Sequence, residues 1–167
     1  NNYNQGKIGK SELNFLEKII SNSIQIINLE NIEINPKKNV IVISADYQSS
    51  LLAEAASASF HTDGWQVFSL GDMSSAIDVL FDLDLQKFVA KIWKSRIGIM
   101  IIVVFSSTED GLKFFAESIN SIKSKFRRNL YLALCGDIKK NTVIKADLMG
   151  ENLETTLQWS QTTFESS

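Results

Sequence analysis

One histidine (His61), one cysteine (Cys135) and three methionines are the chain's whole stock of soft or borderline metal ligands. A structural zinc site draws on several His and Cys side chains, and a disulfide needs a second thiol, so both are excluded. The residues left to bind a ligand form short acidic and hydroxyl clusters, each placed after an apolar run. They are Ala45-Asp46-Tyr47-Gln48-Ser49-Ser50, Gly71-Asp72-Met73, Ser106-Ser107-Thr108-Glu109, Cys135-Gly136-Asp137 and Met149-Gly150-Glu151. Small polar residues let a ligand approach the backbone and hydrogen-bond to it. The same residue types also cap helices, so each cluster alone is weak and the series carries the signal.

Several catalytic arrangements are missing. There is no Gly-x-x-x-x-Gly-Lys-Ser/Thr loop and no glycine-rich dinucleotide turn after the first apolar run. A phosphoacceptor receiver would carry an acidic pair there, an Asp after the third run and a Lys after the fifth; Asp46 stands alone and the third run ends Phe105-Ser106. The Gly-x-Ser-x-Gly elbow of a hydrolase is absent, and His61 falls near a helix end, poorly placed as its base. The expectation is a domain that is not an enzyme.

The clusters must be positioned by the elements between them. Ser11 to Glu30 predicts an amphipathic helix, with Leu13, Leu16, Ile20, Ile24 and Ile27 on one face. Asn35-Pro36-Lys37-Lys38-Asn39 breaks it, dividing the chain into an N-terminal helix and linker (1–38) and an α/β domain (39–167). Strands are predicted at 40–44, 65–70, 97–105 and 130–134, with a weak fifth near 145–148. Helices are predicted at 50–60, 109–123 and 152–164, with a short and a longer helix within 72–96. Runs such as Val40-Ile41-Val42-Ile43 are apolar on both faces, as parallel strands buried on both sides are. Strand–helix alternation then calls for a doubly wound parallel sheet, and five strands favour the flavodoxin-like order 2-1-3-4-5. In such a sheet, ligands bind beyond the carboxyl ends of the strands, which is where the clusters fall.

Charge and composition narrow the partners. Seventeen bases against nineteen acids give a net charge of −2 and no global attraction for nucleic acid. The longest apolar run, Ile97 to Phe105, is far short of the ~18 residues that a membrane helix needs. A single thiol and no apolar leader fit a cytoplasmic location. The chain begins at Asn rather than Met, as a piece of a longer protein would. Lys123-Ser124-Lys125-Phe126-Arg127-Arg128 is the strongest basic cluster and falls at the sheet end away from the acidic loops.

From Val40 onward the series resembles the cobalamin-binding domain of methionine synthase, corrinoid proteins and light-sensing transcription regulators. That family has Asp-x-His-x-x-Gly after its first strand, Leu-Gly after its second, a Ser-rich turn after its third and Gly-Gly after its fourth. The matching stretches are Asp46-Tyr47-Gln48-Ser49-Ser50-Leu51, Leu70-Gly71, Ser106-Ser107-Thr108 and Cys135-Gly136, with Lys145-Ala146-Asp147 before the last helix. Asp63-Gly64-Trp65-Gln66-Val67 matches the family's helix-to-strand turn. Gln48 stands where the family's histidine binds cobalt, and an amide is a much poorer ligand. Leu51 and Cys135 replace glycines where the family admits the nucleotide tail.

Those departures resemble a sensor branch said to contain haem instead of cobalamin. The resemblance implies a sensory or regulatory domain that binds a tetrapyrrole, haem or cobalamin, or has lost it. The alternatives are a corrinoid-dependent methyl-carrier domain and a ligand-free, receiver-like interaction module. The implied cofactor-binding residues are Asp46, Tyr47, Gln48, Ser49, Ser50, Gly71, Ser106, Ser107, Thr108, Cys135, Gly136, Asp137, Met149 and Gly150. Should haem bind, His61 is the candidate metal ligand, with Cys135, Met73 and Met100 as further axial candidates. Implied partners are an upstream or separate signalling or DNA-binding domain and, through the amphipathic helix, a second copy of the chain. No direct contact with nucleic acid and none with a membrane is expected.

Overall fold

A computed structural model describes residues 32–74, 85–126, 128–139 and 142–167. The predicted helix at 11–30 and the shorter of the two helices within 72–96 lie wholly or largely outside them.

Five parallel strands form one sheet in the order β2-β1-β3-β4-β5: β1 Lys38–Ser44, β2 Gln66–Asp72, β3 Ile99–Phe105, β4 Leu130–Cys135 and β5 Leu148–Gly150. The helices are α1 Ser50–Thr62, α2 Leu85–Ile92, α3 Glu109–Lys123 and α4 Leu153–Glu165. This is the doubly wound order expected from five strands.

Burial explains why the strands read as unbroken apolar runs. Every residue of β3 is buried, and alternate residues feed two separate cores. Ile41, Ile43, Met100, Ile102 and Val104 meet α2 and α3, while Val40, Val42, Ile101, Val103 and Phe105 meet α1. A strand buried on both faces cannot alternate with polar residues, so the alternation that marks a half-exposed strand is missing.

The helices are set by their caps and faces. Thr108 Oγ1 accepts from Gly111 N at the start of α3, and Glu109 and Asp110 follow in its first turn, where the helix dipole favours acids. Leu112, Phe115, Ala116, Ile119 and Ile122 then repeat at helical spacing toward the sheet. Asn152 caps α4 by accepting from Thr155 N. The buried side of α1 is Ala53, Ala56, Ser57, Phe60 and His61, and the buried residues of α4 are Thr156 and Ser160. Small residues there let the two helices approach each other over the same sheet face.

The structure corrects three local expectations. The fifth strand is Leu148–Gly150, so Met149 and Gly150 belong to a strand instead of a loop, and Lys145–Asp147 precedes it. Backbone pairing accounts for this: Met149 pairs with Leu134 and Gly150 with Cys135. Gly71 also lies in a strand, at a bulge in β2 where the register skips between Val42 and Ile43. Its φ of +66° is what requires glycine, since an added Cβ would meet nothing within 4 Å. His61, expected near the end of a helix, is there but buried, and its Nε2 has no hydrogen-bond partner among the described residues.

Candidate functional site

The carboxyl ends of β1, β3, β4 and β5 hold most of the residues singled out in the sequence, divided into a latch, a rim and a groove. The latch is Asp46, which follows β1. Its Oδ1 accepts from Ser49 N and Ser49 Oγ, both at 2.9 Å, and its Oδ2 from Ser107 N at 2.8 Å and Ser106 Oγ at 3.0 Å. Partial burial pushes its pKa up, but the donors from Ser107, Ser49 and Ser106 outweigh that and hold it below the ordinary 3.8. Ser106 Oγ also accepts from Thr108 N at 3.1 Å. The carboxylate therefore ties the loop after β1 to the loop after β3, and both oxygens are engaged within the protein.

The rim is apolar and exposed. Tyr47 is 81% exposed and Leu51 78%, with Leu52 and Met149 about half as open. Tyr47 and Gln48 sit on the 3-10 turn Tyr47–Ser49, and the Ser50 hydroxyl donates back to Tyr47 O. Gln48 is exposed. Large apolar side chains held in water beside a concave site are unusual enough to mark a contact surface.

The groove lies past the ends of β4 and β5. It encloses about 650 Å³ between Leu52, Cys135, Gly136, Asp137, Met149 and Asn152. Gly136 lets the loop after β4 press on the loop after β3: a Cβ there would lie 2.4 Å from Ser106 O. Ser106 N donates to Cys135 O at 3.1 Å, so the third and fourth clusters meet. Cys135 itself is turned into the protein, its Sγ 3.0 Å from Thr156 Oγ1. Burial pushes its thiol pKa up to about 11, against a smaller opposing effect of Thr156. It is a protonated, packed thiol at neutral pH and not a thiolate donor.

Two predicted site residues stand apart. Gly71 is on β2, at the opposite edge of the sheet from β5. His61 lies at the far end of α1, where its carbonyl accepts from Gly64 N in the turn that leads into β2. It is thus at the amino-terminal end of the strands, a sheet's height from the groove. Met73 and Met100 are buried in the core that α2 and α3 cover.

Leu52, Ile138, Lys139, Thr142 and Asn152 line the groove without having been singled out as site residues. The structure buries Ala53, Ala56, Ser57, Phe60 and His61 of α1 and leaves Leu51 and Leu52 off that face, although their apolar character in sequence suits packing on the sheet. A second cavity, of about 260 Å³, lies between α2, α3 and the sheet, and among the described residues that line it none is acidic, basic, His, Cys or Met. Among the described residues no group of three or more His, Cys, Asp or Glu could hold a metal ion, and no helix is long and apolar enough to cross a membrane.

No family model matches the chain, and neither does any curated protein. Among solved structures it is similar to the monomethylamine corrinoid protein of Methanosarcina barkeri. The TM-score is 0.53 at 14% sequence identity, over 99% of this chain and 76% of that one. At that identity the shared property is the fold.

Proposed function

We propose that this is a non-catalytic sensory or regulatory domain that holds a tetrapyrrole by the ring and not by its metal. The fold, shared with a protein described as a corrinoid protein, makes cobalamin the first candidate and haem the second. The observation that carries the reading is the apolar rim: Leu52 and Met149 line a groove of about 650 Å³, and Tyr47 and Leu51, just before Leu52 in the chain, stand open to water. A macrocycle of mostly apolar area would cover that rim, with Lys139 and Asn152 beside the groove to meet polar substituents.

Among the described residues the metal finds no strong axial donor. Axial ligation needs a donor at the rim, where the residues offer the Gln48 amide, the Tyr47 phenol and the Met149 thioether, and the groove adds the Asp137 and Glu151 carboxylates; none is an imidazole or a thiolate. Asp46 is engaged in the latch, Cys135 is protonated and turned inward, and His61 lies at the other end of the strands. A corrinoid methyl carrier, in which cobalt is the reacting centre, is therefore the weaker reading. The regulatory role follows from what is left: a ligand held by surface contact changes which protein face is exposed, and a partner domain reads that change.

Spectra of the full chain after incubation with hydroxocobalamin and with haemin, followed by desalting, test the proposal. The expected result is retention of one ligand with little change in its metal-centred bands, and loss of retention in a Leu51→Asp/Leu52→Asp variant. Removal of both ligands by desalting overturns binding. A strong band shift that disappears in Gln48→Ala overturns the unligated mode and revives the methyl carrier.

A further inference from the structure

The other end of the sheet carries a feature that ligand binding does not use. Three segments meet there: 35–37 before β1, 94–98 before β3, and 124–126 with 128–129 before β4. None contains an acid, and together they expose Lys37, Lys94, Arg96, Lys125 and Arg128. Among the described residues no ion pair joins any of these five to a carboxylate.

The loops are fastened to one another. Ile99 N donates to Lys37 O at 3.0 Å, and Met100 N to Asn129 O at 2.9 Å. The buried Asn39 side chain donates to Pro36 O, Ile97 O and Ile99 O. Trp93 stacks on Phe126 with centroids 6.3 Å apart, and the Arg96 guanidinium lies 4.9 Å from the Phe126 ring centroid. Two basic segments about thirty residues apart in the chain are thus clamped side by side through buried aromatics. Arg96 and Arg128 are the non-glycine residues with positive φ among those described, at +48° and +63°. Both turns that place these cations use a backbone conformation that ordinary side chains avoid.

We infer that this amino-terminal face docks an acidic protein segment with an apolar anchor residue. Charge complementarity sets the acidic part: five cations that pair with no carboxylate among the described residues attract a run of carboxylates, and a guanidinium can grip one of them with two hydrogen bonds. Ile97 sets the apolar part, because it is 47% exposed between Arg96 and the buried start of β3. Nucleic acid is disfavoured by the same surface. Its aromatics, Trp93 and Phe126, are 2% exposed and offer no face on which a base could stack. The protein's net charge of −2 also opposes a polyanion longer than the patch.

Fluorescence anisotropy of the full chain with three labelled probes tests this. They are a peptide of about four Glu-Glu-Leu repeats, polyglutamate of equal length, and a single-stranded oligonucleotide of similar charge. The Glu-Glu-Leu peptide is expected to bind most tightly, to weaken with salt, and to lose roughly tenfold or more in a Lys94→Glu/Arg96→Glu variant. A Lys37→Glu/Lys125→Glu variant, which leaves the Arg96–Phe126 contact alone, is expected to do the same and guards against misfolding of the first. Ile97→Ser is expected to weaken the Glu-Glu-Leu peptide and leave polyglutamate unchanged. Oligonucleotide binding as tight as the peptide's, equal binding of polyglutamate, wild-type affinity in both charge variants, or no binding of the peptide at all would each overturn the proposal.

Discussion

The two ends of one sheet are built on opposite plans. At the carboxyl end the loops and adjoining element ends carry Asp46, Asp72, Glu109, Asp110, Asp137 and Glu151, with Lys113 and Lys139 as nearby cations, and Tyr47, Leu51 and Met149 are exposed there. At the amino end the loops before β1, β3 and β4 carry cations and no acid, Asp63 and Asp147 lying instead before β2 and β5, and the aromatics Trp93 and Phe126 are buried. The fastenings differ as well. The carboxyl end is joined by one ionised side chain that accepts four hydrogen bonds; the amino end is joined by backbone contacts and a stack of rings. The strands impose this on neither end, since their interiors are alike. The difference teaches that the loops, and not the sheet, assign a role to each end: an open apolar rim suits a ligand, and a rigid charged face suits a partner.

The largest break is expected at the amino end. A Cβ at Gly98 would lie 2.0 Å from Lys37 O, and its φ is +71°. Gly98→Ala therefore meets both a backbone clash and an unfavourable conformation, and should cost about 3–5 kcal/mol with little dependence on pH. Chemical denaturation at two pH values checks it; a loss under about 1 kcal/mol would show that the loops are not tightly fitted.

At the carboxyl end the corresponding change is Asp46→Asn, which turns an acceptor of four donors into a group that also donates. The expected loss is about 2–3 kcal/mol near neutral pH. This one depends on pH. The folded pKa lies below 3.8, so the folded state favours the ionised form. Its stabilisation is complete above the unfolded value and is lost as pH falls through the folded value. The gap between wild type and Asp46→Asn should hold from neutral pH to about pH 5 and close below pH 4. A gap constant down to pH 2 would mean that the carboxylate charge contributes nothing.

How much of each end could be read beforehand follows from the same contrast. Strand order and the places of the carboxyl clusters rest on local signals: apolar runs, each followed by small hydroxyl, acidic or glycine residues. The carboxyl clusters were therefore visible as a series. Which of them would touch was less visible. Gly71 looked like a loop glycine because a bulge and a turn ask for the same φ, and Met149 looked like a loop residue because a three-residue edge strand has no pattern of its own. Burial of His61 depends on how α1 packs, which its immediate neighbours in sequence do not specify. The amino-terminal face was legible only as one basic run. Its second half, Lys94 to Arg96, joins it through Trp93 and Phe126, a contact between residues 33 positions apart that no local pattern encodes.

The smallest expected effect concerns Cys135, and it separates the buried floor of the groove from its open rim. The thiol is 3% exposed, and its pKa is raised from 9.0 to about 11. The unfolded chain ionises first as pH rises. The stabilisation from keeping the thiol neutral is thus intact below pH 9 and is lost as pH climbs through the folded value. Between those limits the unfolded state gains, and by pH 10 the linkage amounts to about 1.4 kcal/mol. Other groups titrate in the same range, so the measurement is the difference between wild type and Cys135→Ala at pH 8 and pH 10. Wild type should lose the extra stability and the alanine variant should not. Iodoacetamide gives an independent reading: at pH 8 the native thiol should resist alkylation, while the denatured chain reacts within minutes. Rapid native labelling would mean that the groove reaches the sulfur, and the rim and floor would then be one ligand-accessible surface.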